Sequence, residues 1–360
     1  MRTVADAAEP LDQDRVMEFL ERVVADSGAA FAGLTTSIGA RLGLYAAMAG
    51  AGPLTPGQLA ERTGLAERYV REWLAAQVAG EYVHYDPGAG TYALPDEHAA
   101  VLADPASPAY VVGAFRMLKA LYASEDALVD AYRTGEGVGW EEHGPELYEG
   151  SASFYRTGYQ AMLVREWLPA LEGVVEKLER GASVADVGCG FGYSTLLMAQ
   201  AFPRSRFHGF DFHGPSVDAA RREAAERDLG DRVAFDVAAA EDFPGGDYDL
   251  ITFFDCLHDL GDPGAAFRRA ERTLAGDGSC MVVEPNAPAD PQELANPIGR
   301  SYAATSATLC LPGAVAQHGP YALGNHPGEE ALRRIADEAG LHDWTLAAET
   351  ITNRVYHVRR

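Results

Sequence analysis

Val184-Ala185-Asp186-Val187-Gly188-Cys189-Gly190-Phe191-Gly192 decides the fold, with Tyr193-Ser194-Thr195-Leu196-Leu197-Met198-Ala199 directly behind it. Small and β-branched residues run into three alternate glycines and then into an apolar helical segment, which reads as strand, tight turn and helix. Glycine suits such a turn because a side chain would meet a closely approaching ligand and would forbid positive φ angles. A Gly-x-Gly-x-Gly by itself also fits an ordinary β-to-α loop, so its surroundings matter. A second short strand, Arg206-Phe207-His208-Gly209-Phe210, ends in Asp211, 23 residues beyond Gly188 (211 − 188). An acid at that point is where doubly wound sheets bind ribose hydroxyls.

Dinucleotides and S-adenosylmethionine (SAM) share this layout. A dinucleotide needs an open helix N-terminus for its pyrophosphate, usually through Gly-x-Gly-x-x-Gly. Here Asp186 stands two residues before the first glycine, where it would repel phosphate but could face an ammonium or sulfonium. The stretch resembles the first motif of the class I SAM-dependent methyltransferases, Asp/Glu-x-Gly-x-Gly-x-Gly. The resemblance implies an α/β, Rossmann-like doubly wound sheet. It implies a cofactor site built from Asp186, Gly188, Gly190, Gly192, Asp211 and Phe212, with Asp255 at the end of a later strand. It also implies an acidic and an apolar residue at the adenine, for which Asp242 and Phe243 are the candidates, with Glu241 as an alternative acid.

At 360 residues two domains are expected, and an apolar fraction of 47% is enough for a sizeable core. The formal charge of -24 works against nucleic acid and anionic lipid, which are bound by neutralising phosphates. Cys189, Cys256, Cys280 and Cys310 show no Cys-x-x-Cys spacing and read as reduced thiols of a cytoplasmic protein. No signal-peptide pattern opens the sequence. The Ala/Gly-rich run 28–52 carries Thr35, Thr36, Ser37 and Arg41, so it reads as a packed helix and not a membrane span.

Residues 1–115 read as a mostly helical winged-helix domain. A helical stripe of Val16, Phe19, Leu20 and Val23 is followed by a second helix to about residue 49. Thr55-Pro56 starts a helix, Gly64 marks a turn, and a hairpin flanks Asp86-Pro87-Gly88-Ala89-Gly90. Such a module can place its second helix in a major groove. Seven Arg, no Lys and fifteen Asp or Glu give this stretch -8 (7 − 15), and Glu67 and Glu72 match Arg68 and Arg71, so no basic face is left. A winged helix ahead of a class I domain resembles the small-molecule O-methyltransferases of plants and actinomycetes, and that resemblance implies a homodimer joined through this domain.

Residues 116–168 read as a helical connector and substrate segment. One long helix is expected from Tyr110 to Arg133, with Arg116 either reaching water or clamping a substrate carboxylate. His143 and Tyr159 are candidate substrate-lining residues, against a surface-loop reading for His143.

Residues 169–360 read as the SAM-binding catalytic domain. Its fourth strand, Tyr248 to Phe254, runs into Asp255-Cys256-Leu257-His258-Asp259-Leu260-Gly261-Asp262. A histidine at the carboxyl end of a parallel strand is a natural general base. His258-Asp259-x-x-Asp262 is similar to the segment that supplies the base in the winged-helix O-methyltransferases. The resemblance makes His258, Asp259 and Glu284 the catalytic set, with Glu284 at the end of the fifth strand orienting the base.

Where plant-type enzymes have a second Glu, His326 or His318 falls here. His258, Glu284 and one of those histidines would suit a divalent or ferric metal ion, iron or zinc. The α-keto acid C-methyltransferases form a branch of that character, in which a metal would stabilise an enolate. Metal-assisted C-methylation of an α-keto acid in natural-product biosynthesis is therefore the leading expectation. The alternatives are metal-free O-methylation of a hydroxylated aromatic with His258 as base, and a non-catalytic SAM-binding regulator.

Overall fold

The computed structural model describes residues 11–360. The first ten, which belong to the expected winged-helix domain and to the stretch read as free of a signal peptide, lie outside the described residues. The chain divides into two compact units, Met1–Phe115 and Arg116–Arg360. Residues 116–168, expected as a connector, fall in the second.

In the first unit two helices precede residue 49 as expected, but the first runs on to Arg41 (Gln13–Arg41) and the second is short (Leu44–Met48). Helix Pro56–Thr63 starts at Thr55 in a capping box with Gln58 and ends at Gly64, whose φ of 70° supplies the left-handed cap. Helix Glu67–Ala79 comes next, then a wing of β1 (His84–Asp86) and β2 (Thr91–Ala93). On Glu67–Ala79, Arg68 pairs with Glu72 and Arg71 with Glu67, which leaves these arginines compensated. The core gathers Leu44, Tyr45, Leu59, Val70, Trp73 and Leu74.

In the second unit β3 (Ser183–Val187), β4 (Arg206–Asp211), β5 (Val233–Val237), β6 (Tyr248–Phe254), β7 (Leu274–Pro285), β8 (Asp343–Glu349) and β9 (Asn353–Arg359) form one sheet. Its order is β5-β4-β3-β6-β7-β9-β8. All pairs are parallel except those of β9, which runs antiparallel to both β7 and β8. The central strands are buried on both faces, which is why they read as near-continuous apolar runs. Strand order reverses at β3, so a crevice opens at the carboxyl ends of β3, β4 and β6.

The expected long helix breaks at Ser124 into Gly113–Ala123 and Glu125–Thr134. Two stretches are π-helical, Tyr159–Trp167 and Ser306–Cys310. Such widened turns concentrate at functional sites. No helix among the described residues is long and apolar enough to cross a membrane.

Gly39 shows how tightly the first unit is packed. A Cβ there would lie 2.5 Å from the Trp73 ring, whose Nε1 donates to the Thr35 carbonyl at 2.9 Å. Gly39→Val is expected to destabilise the chain by about 1–3 kcal/mol through overpacking. Urea titration of variant and wild type checks this, with Gly28→Ala, which meets nothing within 4 Å, as the control.

Candidate active site

At the glycine turn, where a cofactor was expected, two acids tie neighbouring elements together. Gly188, Gly190 and Gly192 have φ of 74°, 51° and 73°. A Cβ on Gly192 would stand 2.6 Å from Phe235, whereas one on Gly190 would meet no protein atom within 4 Å, so Gly190 carries the open face of the turn. Asp186 is buried, and its Oδ2 accepts from Ser194 Oγ at 2.7 Å and Thr195 Oγ1 at 2.5 Å. Its Oδ1 accepts from Thr252 Oγ1 at 2.9 Å. Burial pushes Asp186 up and those hydroxyls pull it back.

Asp211 closes β4 and spans the crevice edge. Its Oδ2 accepts from Gly190 N and its Oδ1 from His213 N, each at 2.8 Å. Phe212 beside it is exposed. Tyr148 lies with its ring centroid 4.2 Å from that of His213, and Trp140 stacks on Tyr148 at 5.7 Å. Residues 140–148 therefore wall this end of the crevice.

The second centre lies past β6. Phe254 pairs with Val283, which sets the following loop beside Glu284. His258 is 2% exposed, and its Nδ1 lies 2.5 Å from Glu284 Oε2. Glu284 Oε1 accepts from Leu257 N at 3.0 Å, so one carboxylate orients the ring and fastens the loop. On the other side His258 Nε2 faces Asp259 Oδ1 at 3.2 Å. Burial pushes His258 down, but Asp259 and Glu284 outweigh it and hold the imidazole well above its ordinary range. The resting group is an imidazolium between two carboxylates.

Around it stand residues that the motifs did not single out. Cys310, from the second π-helical stretch, completes with His258 and Asp259 a group whose ligand atoms lie within 4.8 Å of one another. Tyr155 stacks on Tyr159 at 6.1 Å, and Tyr159 lies 5.3 Å from Phe254. Arg156 places its guanidinium 5.1 Å from the Tyr193 ring, and its Nε is buried without a hydrogen-bond partner.

Comparison with known proteins fits this architecture. Residues 30–104 match the family model described as an Rv2258c-like winged HTH domain, and residues 178–340 match a methyltransferase domain. The chain thus carries a methyltransferase domain with the class I fold. An O-methyltransferase family protein from Burkholderia thailandensis superposes with a TM-score of 0.68 at 16% identity, covering 98% of each chain. Human N-acetylserotonin methyltransferase in complex with SAM gives 0.68 at 17% identity, covering 98% of this chain and 99% of that one. At such identities the likeness carries the fold. Methyltransferase ungE' of Aspergillus campestris is 28% identical over 116 residues, 28% of this chain, and the match spans 34% of that relative's length.

Several expected residues of this methyltransferase are placed otherwise than the sequence suggested. Phe243 is fully buried, with Phe210 5.3 Å away and Arg269 5.4 Å over its ring, so it is a core residue with no free face for adenine. Asp242 is exposed on the turn just before it. Arg116 is already neutralised by Glu146 at 3.1 Å and Glu149 at 2.6 Å and is no carboxylate clamp. His143, for which polar lining and a surface loop were both open, is buried. Its Nδ1 lies 2.9 Å from Ser124 Oγ and its Nε2 is unpartnered.

The expected metal ligands do not converge. His258 Nδ1 is committed to Glu284, and neither His318 nor His326 belongs to the group of potential ligands at His258. His318 is exposed at a φ of 55°, and it is Gln317 that reaches the loop, bonding Gly261 N and the Asp259 carbonyl. Burial and Asp259 push the Cys310 thiol up to about 12. The group that does gather, His258 with Asp259 and Cys310, is not the expected set of His258, Glu284 and a second histidine.

Removing Glu284 would strand a buried cation and an unpaired N–H. Glu284→Ala is expected to cost about 3–5 kcal/mol, and Glu284→Gln, which keeps an acceptor for Leu257 N, less. Urea unfolding at neutral pH ranks the two.

Proposed function

We propose that this protein transfers the SAM methyl group to an oxygen of a small molecule, with His258 as the base that takes the acceptor's proton. The observation that carries the reading is the buried His258, whose Nδ1 is held by Glu284 while Nε2, facing Asp259 Oδ1 at 3.2 Å, is the nitrogen left to take a proton. SAM supplies an electrophilic methyl on a sulfonium. The chain's part is to position the two reactants and keep water out. Gly190 and the acids Asp186 and Asp211 suit the cofactor's backbone-facing end, and Arg156 suits its carboxylate. Tyr159 and His143 suit the acceptor's enclosure. O-methylation is preferred over the metal-assisted C-methylation of an α-keto acid because the histidines needed for that metal lie apart.

The charge on His258 sets the pH response. A base works only when deprotonated, and Asp259 and Glu284 hold this one well above the ordinary histidine range. The acidic limb of kcat/KM is therefore expected at higher pH than an ordinary histidine would give. Asp259→Asn removes one of the holding charges and should move the limb to lower pH. Initial rates of S-adenosylhomocysteine release across pH check the shift. His258→Ala should lower kcat by about 10²–10⁴-fold with cofactor affinity retained by calorimetry; an unchanged rate would remove His258 from the reaction.

The winged-helix unit suits pairing with a second copy. Val16, Leu20 and Val23, then Phe31, Leu34 and Ile38, make an exposed apolar stripe along Gln13–Arg41. Light scattering is expected to give a dimer mass, and Phe31→Asp with Leu34→Asp a monomer.

A further inference from the structure

We propose that Asp255 selects the methyl acceptor: its Oδ2 takes a hydrogen bond from an amine on the acceptor molecule, held against Tyr155 and Tyr159. This rests on the methyltransferase reading above, names the substrate class of that site, and moves Asp255 from the cofactor, where the resemblance had put it, to the acceptor.

The residue is set up at some cost. Asp255 follows β6 with a φ of 49°, in the left-handed region, while its N–H donates to the Val283 carbonyl at 2.8 Å. A non-glycine residue is held there at an expense of about 1–3 kcal/mol, and such strain collects at ligand-binding positions. Asn353, at the start of β9, donates from Nδ2 to Asp255 Oδ1 at 2.7 Å. One carboxyl oxygen is thus anchored. The other is buried without a partner, in a residue only 8% exposed. A buried acceptor left unsatisfied is destabilising until a donor meets it.

The neighbours say which donor. Burial raises the phenols of Tyr155, Tyr159 and Tyr302, and the charge of Asp255 comes next among the causes for each, so all three rings stand within its field. Tyr155 and Tyr159 are stacked at 15°. Aromatic faces beside a carboxyl group attract an ammonium. Burial, then the charge of Glu284, push Asp255 up to about 8, and a cation would restore its ionised form. An acceptor carrying its own carboxylate would meet Asp255, Asp259 and Glu284, with Arg116 already neutralised elsewhere.

The cofactor also carries an amine, so the test separates the two sources. Calorimetry on the full chain saturated with S-adenosylhomocysteine compares matched pairs that differ in the terminal group: tyramine against phloretic acid, and tryptamine against indolepropionic acid. At least one amine is expected to bind about tenfold tighter than its twin (about 1.4 kcal/mol), and Asp255→Asn should abolish that preference while leaving S-adenosylhomocysteine affinity unchanged. The proposal is overturned if no amine outbinds its twin or if the preference survives the substitution. A tenfold loss of S-adenosylhomocysteine affinity with the amine preference intact would also overturn it, assigning Asp255 to the cofactor. Should Asp255→Asn fail to fold, Asn353→Ala takes its place, and an undiminished preference there is equally fatal. Failure of wild type to bind S-adenosylhomocysteine at all would sink the methyltransferase reading itself.

Discussion

A histidinium held between two carboxylates, almost without water, constrains everything at the carboxyl edge of the sheet. Charges are tolerated in such a place only when they satisfy one another and their remaining polar atoms are bonded. The parallel pairing of β6 and β7 meets that demand, because Phe254 opposite Val283 brings residues 255–259 alongside Glu284. Glu284 then does two jobs, taking the His258 ring on one oxygen and Leu257 N on the other. The loop cannot drift without stranding a charge. His258 is thus held rigid for an electrostatic reason, although it sits in a loop.

The same rule organises the glycine turn after β3. Asp186 is spent on three hydroxyls, which tie the strand β3 to the helix behind the turn and to β6. Asp211 is spent on two N–H groups, which fix the turn against the end of β4. Carboxylates here act as ties between elements before they meet any ligand. Each still has lone pairs to offer, since a carboxylate accepts up to about four hydrogen bonds. Asp255 differs because a whole oxygen is left over.

What could be read in advance follows from where the information lies. The glycine turn, the acid after β4 and the His258 segment are local patterns, and the fold that they imply places Glu284 next to His258. The errors arose where partners come from afar. Nothing around Arg116 in sequence announces Glu146 and Glu149, which lie 30 and 33 residues on. Whether Gln317 or His318 faces the loop depends on one positive φ. Phe243 differs from an adenine-facing residue only in its depth. The break at Ser124 and the two π-helical stretches leave the hydrophobic period nearly unchanged, so pattern reading passes over them.

Charge bookkeeping links the two ends of the site. When a sulfonium gives up its methyl group it becomes a neutral thioether, and an enclosure lined by Asp186, Asp211, Asp255, Asp259 and Glu284 would resist losing a cation if nothing replaced it. In the proposed reaction the acceptor's proton moves to His258 as the methyl moves to oxygen. The positive charge then leaves the sulfonium and reappears on the imidazole, between Glu284 and Asp259. The acids that make His258 hard to deprotonate at rest are those that stabilise it as the receiver of that charge. A resting imidazolium is thus the expected companion of a strong base in this position, and the rate lost by having to deprotonate it first is offset by the stabilised charge in the transition state.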